Sequence, residues 1–320
     1  MRGLVLSAGT AKFEQELPAP NASASETRVR VLSAGVCATD LALARGYMDF
    51  EGIPGHEFCG VALDGPLEGK RVVGEINAAC GTCSACRDGL GRHCSERTVL
   101  GILGRSGAFA DELALPTENL LEVPDSVSTD AATFCEPLAA AWEIAEQIDL
   151  VAGESALVCG DGRLGLLCAH VLAAHGLNVT LAGRHAERAN LLGQELTFAE
   201  GLLEPDAPRE PRYSIVVEAT GKPEVFPLAL QCLRPRGTLV LKTTSERPGA
   251  FDLAPLVVNE ITLLGSRCGP FAPALASLAS GTPTVENMIT ARFPLERATD
   301  ALHAASQRGA LKVLIDVHDS

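Results

Sequence analysis

The chain has 320 residues, 47% of them hydrophobic and 21% charged, a composition that suits two globular domains and excludes a disordered chain. A formal net charge of −14 excludes the basic face that nucleic acid or an anionic membrane demands. No basic start leads into an apolar run and cleavage site, and no 18-residue apolar span occurs, so a soluble cytoplasmic protein is expected. In that setting eleven cysteines point to metal binding before disulfides.

The predicted elements come in two styles. MRGLVLSAG (1–9) and TRVRVLSAGVC (27–37) gather β-branched and apolar residues in short runs, as strands of an antiparallel, barrel-like unit; PAPNASASE (18–26) is a surface loop. GKRVVGE (69–75), FADELALP (109–116) and NLLEVP (119–124) continue this style. At about Asp130 it changes, because TDAATFCEPLAAAWEIAEQIDL (129–150) is Ala-rich with apolar residues at helical spacing. Beyond Glu154 strand, Gly-rich turn and helix alternate: ESALVCG as strand, GRLGLLCAHVLAAHG as helix, LNVTLAG as strand, then strands in YSIVVEATG, GTLVLKTT and ITLLGSR. Such alternation predicts a doubly wound parallel sheet. EPDAPREPR (204–212) reads as a loop, Leu295–Gln307 as a helix and KVLIDV (312–317) as a closing strand.

Two clusters carry metal chemistry. G-V-C-A-T-D and G-H-E-F-C-G place Cys37, Thr39, His56 and Glu57 within two dozen residues, and thiolate with imidazole suits zinc. C-x2-C-x2-C-x7-C, with Cys80, Cys83, Cys86 and Cys94, can close a tetrahedral shell and leave no open position, which defines a structural zinc lobe over residues 80–94. Asp40 is expected to orient the backbone and His56. Cys59, Cys159, Cys168 and Cys232 read as core residues. His170 and His175 read as structural or exposed.

A third motif carries a cofactor. G-D-G-R-L-G, spanning Gly160, Gly162, Arg163, Leu164 and Gly165, follows a predicted strand and opens a predicted helix, the context a dinucleotide fingerprint needs. At the end of the next strand an NAD site would present Asp or Glu. This chain has Gly183, Arg184 and, one turn on, Arg188. Gly183 leaves room for a 2′-phosphate and Arg184 can pair with it, so NADP is favoured over NAD.

Together G-V-C-A-T-D, G-H-E, the four cysteines, C-E-P-L, G-D-G-R-L-G, E-A-T-G and the terminal K-V-L-I-D resemble the zinc-dependent medium-chain dehydrogenase/reductase superfamily of alcohol dehydrogenase type. The match is closest in pattern to its sorbitol, glucose and threonine dehydrogenase branch. The resemblance implies a GroES-like β-barrel catalytic domain (1–135 and 268–320) and a Rossmann domain (136–267). It implies Glu136 as third ligand of a catalytic zinc, with Cys135 as alternative and Glu57 as ligand or near neighbour. Thr39 would accept the alcohol proton; Leu41 and Ala42 stand where many relatives carry a relay histidine. The implied reaction is hydride transfer between a secondary alcohol (polyol, sugar or hydroxy-amino acid) and NAD(P), in a homodimer or homotetramer. The alternatives are a dehydrogenase or reductase of simple alcohols and aldehydes, and a non-catalytic NADP-binding zinc protein. Tyr47, Met48, Phe50, Trp142 and Cys268 stand between cleft lining and plain packing.

Overall fold

The computed structural model describes residues 1–244, 249 and 251–318. They form two compact units, one of Met1–Glu136, Phe271–Gly281 and Val285–Ser320, the other of Pro137–Pro270 and Thr282–Thr284.

In the first unit β1 (Gly3–Ser7) and β2 (Thr10–Glu14) make an antiparallel hairpin. The longest strand, β3 (Glu26–Gly35), alternates at first, with Thr27, Val29 and Val31 inward and Arg30 exposed; from Val31 to Gly35 every residue is buried. After it come α1 (Ala38–Ala44), β4 (Glu57–Ala62) and β5 (Arg71–Gly74). The short strands β6 (Asn77–Ala78), β7 (Thr98–Leu100) and β8 (Gly104–Arg105) form a patch of their own, and α2 (Ser84–Arg87) lies within the four-cysteine segment. β9 (Glu112–Pro116) pairs with β3, and β10 (Leu120–Glu122) with β5.

The single helix expected over 129–150 is two helices, α3 (Thr129–Ala132) and α4 (Cys135–Gln147). Pro137 explains the break. It has no N–H to give the Thr133 carbonyl and its ring would strike that carbonyl, whereas the first turn of a new helix tolerates it. Ser128 caps α3 by accepting from Ala131 N at 3.0 Å.

The second unit holds β11 (Ser155–Cys159), α5 (Arg163–Ala174), β12 (Asn178–Gly183), β13 (Thr197–Glu200), β14 (Tyr213–Glu218), α6 (Phe226–Gln231), β15 (Leu233–Leu241), α7 (Ala254–Val258) and β16 (Thr262–Gly265). Its strands are all parallel, in the order β13-β12-β11-β14-β15-β16. Leu157, Cys159, Val216 and Leu239 on the sheet pack with Phe226, Ala229 and Leu230 of α6. β13 has no fully buried residue, which is why its sequence gives no strand signal.

The chain returns to the first unit with α8 (Phe271–Ala279), β17 (Ile289–Pro294), α9 (Ala298–Ser306) and β18 (Lys312–Asp316). Neither α8 nor β17 is predicted from the sequence pattern. The helix expected from Leu295 starts at Ala298, after a 3-10 turn. β18 lies antiparallel to β3 with Leu314 opposite Gly35, and Glu57 of β4 lies opposite Gly35 on the other side. That register carries the C-terminal strand to the site.

Candidate active site

Cys37 occupies the N-cap of α1, one residue beyond the buried end of β3 and Val36. Asp40, with no exposed surface, accepts from Cys37 N at 2.8 Å and from Gly55 N at 3.1 Å, which pins the two ligand-bearing loops together. Its Oδ1 lies 3.2 Å from His56 Nδ1, off the line of a good hydrogen bond, so this contact is mainly electrostatic. One donor atom each from Cys37, His56 and Glu57 lie within 4.8 Å of one another. Burial disfavours the imidazolium, but Asp40 and Cys37 outweigh it and hold His56 well above its ordinary value. A proton on His56 thus offsets negative charge that a cation would otherwise offset. Thiolate, imidazole and carboxylate form a donor set that suits zinc.

Glu57 has a partner that the sequence reading missed. Lys312 Nζ donates to Glu57 Oε2, and both side chains are 1% exposed. The Phe134 ring lies 5.3 Å from the same ammonium. Gly35 has to lack a side chain here, because a Cβ would fall onto Glu57 Oε2. The available signal was one lysine opening an otherwise apolar strand, K-V-L-I.

Glu136 is in the first turn of α4 and half-buried. Burial pushes its carboxyl up to about 7; His56 pulls it down and Glu57 and Glu75 push it up. Its oxygens are not among the donor atoms grouped within 4.8 Å. The Cys135 thiol donates instead to the Phe271 carbonyl at 3.7 Å, and burial raises it far above a reactive range. Thr39 Oγ1 lies 3.9 Å from Cys37 Sγ. Of the residues left between cleft and packing, Tyr47 and Met48 are exposed and Trp142 packs edge-on against His175. Cys59, Cys159, Cys168, Cys232 and His170 are buried.

Cys80, Cys83, Cys86 and Cys94 also bring four sulfurs within 4.8 Å of one another. Cys83 and Cys86 Sγ are 3.4 Å apart, and Cys80 N donates to Cys94 Sγ at 3.5 Å. N–H and O–H donation from Thr82 draws the Cys80 thiol down to about 6. This set suits a closed zinc shell.

In the second unit the turn after β11 carries Gly160 at φ +113, and a Cβ on Gly165 would land on the Gly160 carbonyl. A Cβ on Gly162 would meet nothing within 4 Å, which leaves the backbone open to a pyrophosphate at the start of α5. Arg163 and Leu164 open that helix. The end of β12 departs from the sequence reading. The space over Gly183 is taken by Asp161, whose Cβ and Cγ lie 2.5 Å from where a Gly183 Cβ would sit. Asp161 Oδ2 accepts from Arg184 N (2.8 Å), His185 N (2.7 Å) and His185 Nδ1 (2.7 Å). Burial raises this carboxyl, but those donors win and hold it below the usual range. Arg188 donates to the Asp161 carbonyl at 3.0 Å, and Arg184 is exposed.

The molecule is therefore one whose first unit is equipped for zinc and whose second is equipped for a dinucleotide. The model of the Alcohol dehydrogenase GroES-like domain matches residues 23–125, and that of the Zinc-binding dehydrogenase matches residues 164–280. The chain is 28% identical over 303 residues to L-galactonate-5-dehydrogenase of Escherichia coli (88% of this chain, 87% of that one). It is 27% identical over 342 residues to sorbitol dehydrogenase of Halalkalibacterium halodurans (96% of each). Among solved structures it is similar to an alcohol dehydrogenase from Thermus sp. ATN1, with a TM-score of 0.88, 29% identity and coverage of 99% of this chain and 100% of that one. The chain belongs to the zinc-dependent medium-chain dehydrogenase/reductase superfamily. It is an oxidoreductase that moves a hydride between a secondary alcohol and a nicotinamide dinucleotide.

Proposed function

We propose that Cys37, His56 and Glu136 hold a catalytic zinc, that the four-cysteine lobe holds a second, structural zinc, and that NADP is preferred to NAD. The observation that carries the catalytic zinc is the close grouping of the Cys37 and His56 donors, with Glu57 beside them, around an imidazole charged by its neighbours. When bound, zinc supplies the positive charge that lets an alcohol give up its proton near neutral pH. Asp40 keeps the ligand loops in register, and Thr39 accepts the alcohol proton at Oγ1 as it passes its own hydroxyl proton on to solvent. Lys312 keeps Glu57 beside the site as a neutralised carboxylate, which leaves the third ligand position to Glu136, a group that burial alone would keep protonated near pH 7 and that a metal ion would ionise.

A polyol, sugar or hydroxy-amino acid is the substrate class, in line with the galactonate and sorbitol dehydrogenases to which the chain is similar. A cytoplasmic setting agrees with eleven cysteines, none of which forms a disulfide among the described residues. A homodimer or homotetramer is supported by the edge strand β16 and α7, where Leu253, Val257, Val258 and Leu263 are exposed. The test is a panel of polyols, sugar acids, threonine and simple alcohols with NAD and with NADP. Turnover of simple alcohols alone, or better rates with NAD, would contradict this reading.

A further inference from the structure

Asp161, from the glycine turn, fills the space over Gly183 at the end of β12 and is occupied by donors. Three donors converge on Oδ2, two from the backbone of Arg184 and His185 and one from His185 Nδ1. With Nδ1 fixed on the carboxylate, Nε2 faces away from it across the ring. The Arg184 guanidinium, on the neighbouring residue, makes no ion pair among the described residues. Arg188 is tethered through one nitrogen to the Asp161 carbonyl.

We propose that His185 is a specificity-determining residue for the 2′-phosphate of NADP and that Asp161 is its positioning residue. The inference rests on the NADP reading and deepens it. Its chemistry follows from the tautomer. A neutral imidazole that donates from Nδ1 to Asp161 has a bare acceptor at Nε2, which faces phosphate oxygens lone pair to lone pair. The imidazolium donates from both nitrogens, to Asp161 and to the phosphate together, and its charge offsets the carboxylate that would otherwise repel the ligand. The other charged groups about His185 are Arg184, Glu187 and Arg188 on its own segment, Arg163 at the start of α5, and Glu200, opposite Gly183 on β13. NADP therefore calls for the charged form of this imidazole, whereas NAD does not.

The test compares KM for NADP and NAD, between pH 5.5 and 8.5, in the zinc-loaded enzyme and in its His185→Leu, Arg184→Ala and Asp161→Asn variants. In the wild type the ratio of KM for NADP to KM for NAD should climb with pH, by up to tenfold per unit for one proton. His185→Leu should raise KM for NADP roughly tenfold at low pH, leave KM for NAD and both kcat values unchanged, and flatten the ratio. Asp161→Asn, whose amide oxygen can still accept the backbone N–H groups, loses the carboxylate that fixes Nδ1 and should raise KM for NADP. A flat ratio in the wild type, or a His185→Leu variant that changes both cofactors alike, overturns the proposal. If Arg184→Ala raises KM for NADP while His185→Leu does not, the NADP reading stands and only the role of His185 fails. A wild type that prefers NAD and an Asp161→Asn variant that gains NADP would make Asp161 a repelling carboxylate, and both readings would fall.

Discussion

Glu57 and Lys312, 255 positions apart in sequence, form an ion pair in which each side chain is 1% exposed. Two such charges survive burial only together, since removing one partner strands the other in a medium that solvates it poorly. Lys312→Met should destabilise the protein by about 3–5 kcal/mol, read from denaturant unfolding. Glu57→Gln combined with Lys312→Met should cost less than the two single changes added. Additive losses would mean that the pair does not couple.

The metal-free site should make stability depend on pH in a defined direction. Glu136 is raised from 4.5 to about 7 in the folded chain, so between those values the folded state holds a proton that the unfolded state has lost, and stability falls as pH rises. His56, raised above 6.5, acts in the same direction: its contribution is full below 6.5 and disappears as pH climbs through its folded value. Chelated protein should therefore melt at a lower temperature at pH 7.5 than at pH 5.5, and zinc should abolish most of the difference because it replaces both protons. Equal melting temperatures without metal would contradict the charge balance described for the site.

The cysteine lobe should lose its order without affecting the other site. Cys83→Ser removes one of four sulfurs from a segment whose helix, α2, has only four residues and cannot hold itself. The expected result is one zinc fewer per chain, rapid proteolysis near residues 80–94, and an intact metal site at Cys37 by spectroscopy of a cobalt-substituted sample.

Gly165→Ala is the sharpest probe of the dinucleotide turn. Its Cβ would overlap the Gly160 carbonyl, which forces α5 away from the turn. Binding of NAD and NADP should weaken together by at least tenfold, on the order of 1.4 kcal/mol, in a titration of cofactor fluorescence. The parallel loss separates this backbone effect from the selective loss expected at His185.

How much of this was legible in the sequence depends on how local each signal is. The four cysteines, the glycine turn and the alternation of strand and helix after Glu154 are written in spacing alone, and they were readable. Cys37, His56 and Glu57 were readable as a cluster because they flank one short helix. Lys312 was not, because only the pairing of β18 with β3 brings it to Glu57, and that register has no trace in either segment. The role of Asp161 was hidden for a similar reason: the sequence shows that Gly183 lacks a side chain but not which neighbour takes the space. β17 and β13 stayed silent because their residues are only half covered, and Pro137 divided a helix whose apolar periodicity runs straight through it.

Whether Cys37 belongs to a zinc site that performs the chemistry is decided by the zinc content and turnover of Cys37→Ser beside the wild type. The wild type should hold two zinc per chain, one of them removed by chelator together with all NAD(P)-dependent alcohol oxidation. Cys37→Ser should hold one, keep its fold and its dinucleotide binding, and lose turnover by several orders of magnitude. A Cys37→Ser protein that retains both zinc ions and oxidises alcohols at the wild-type rate would contradict the account.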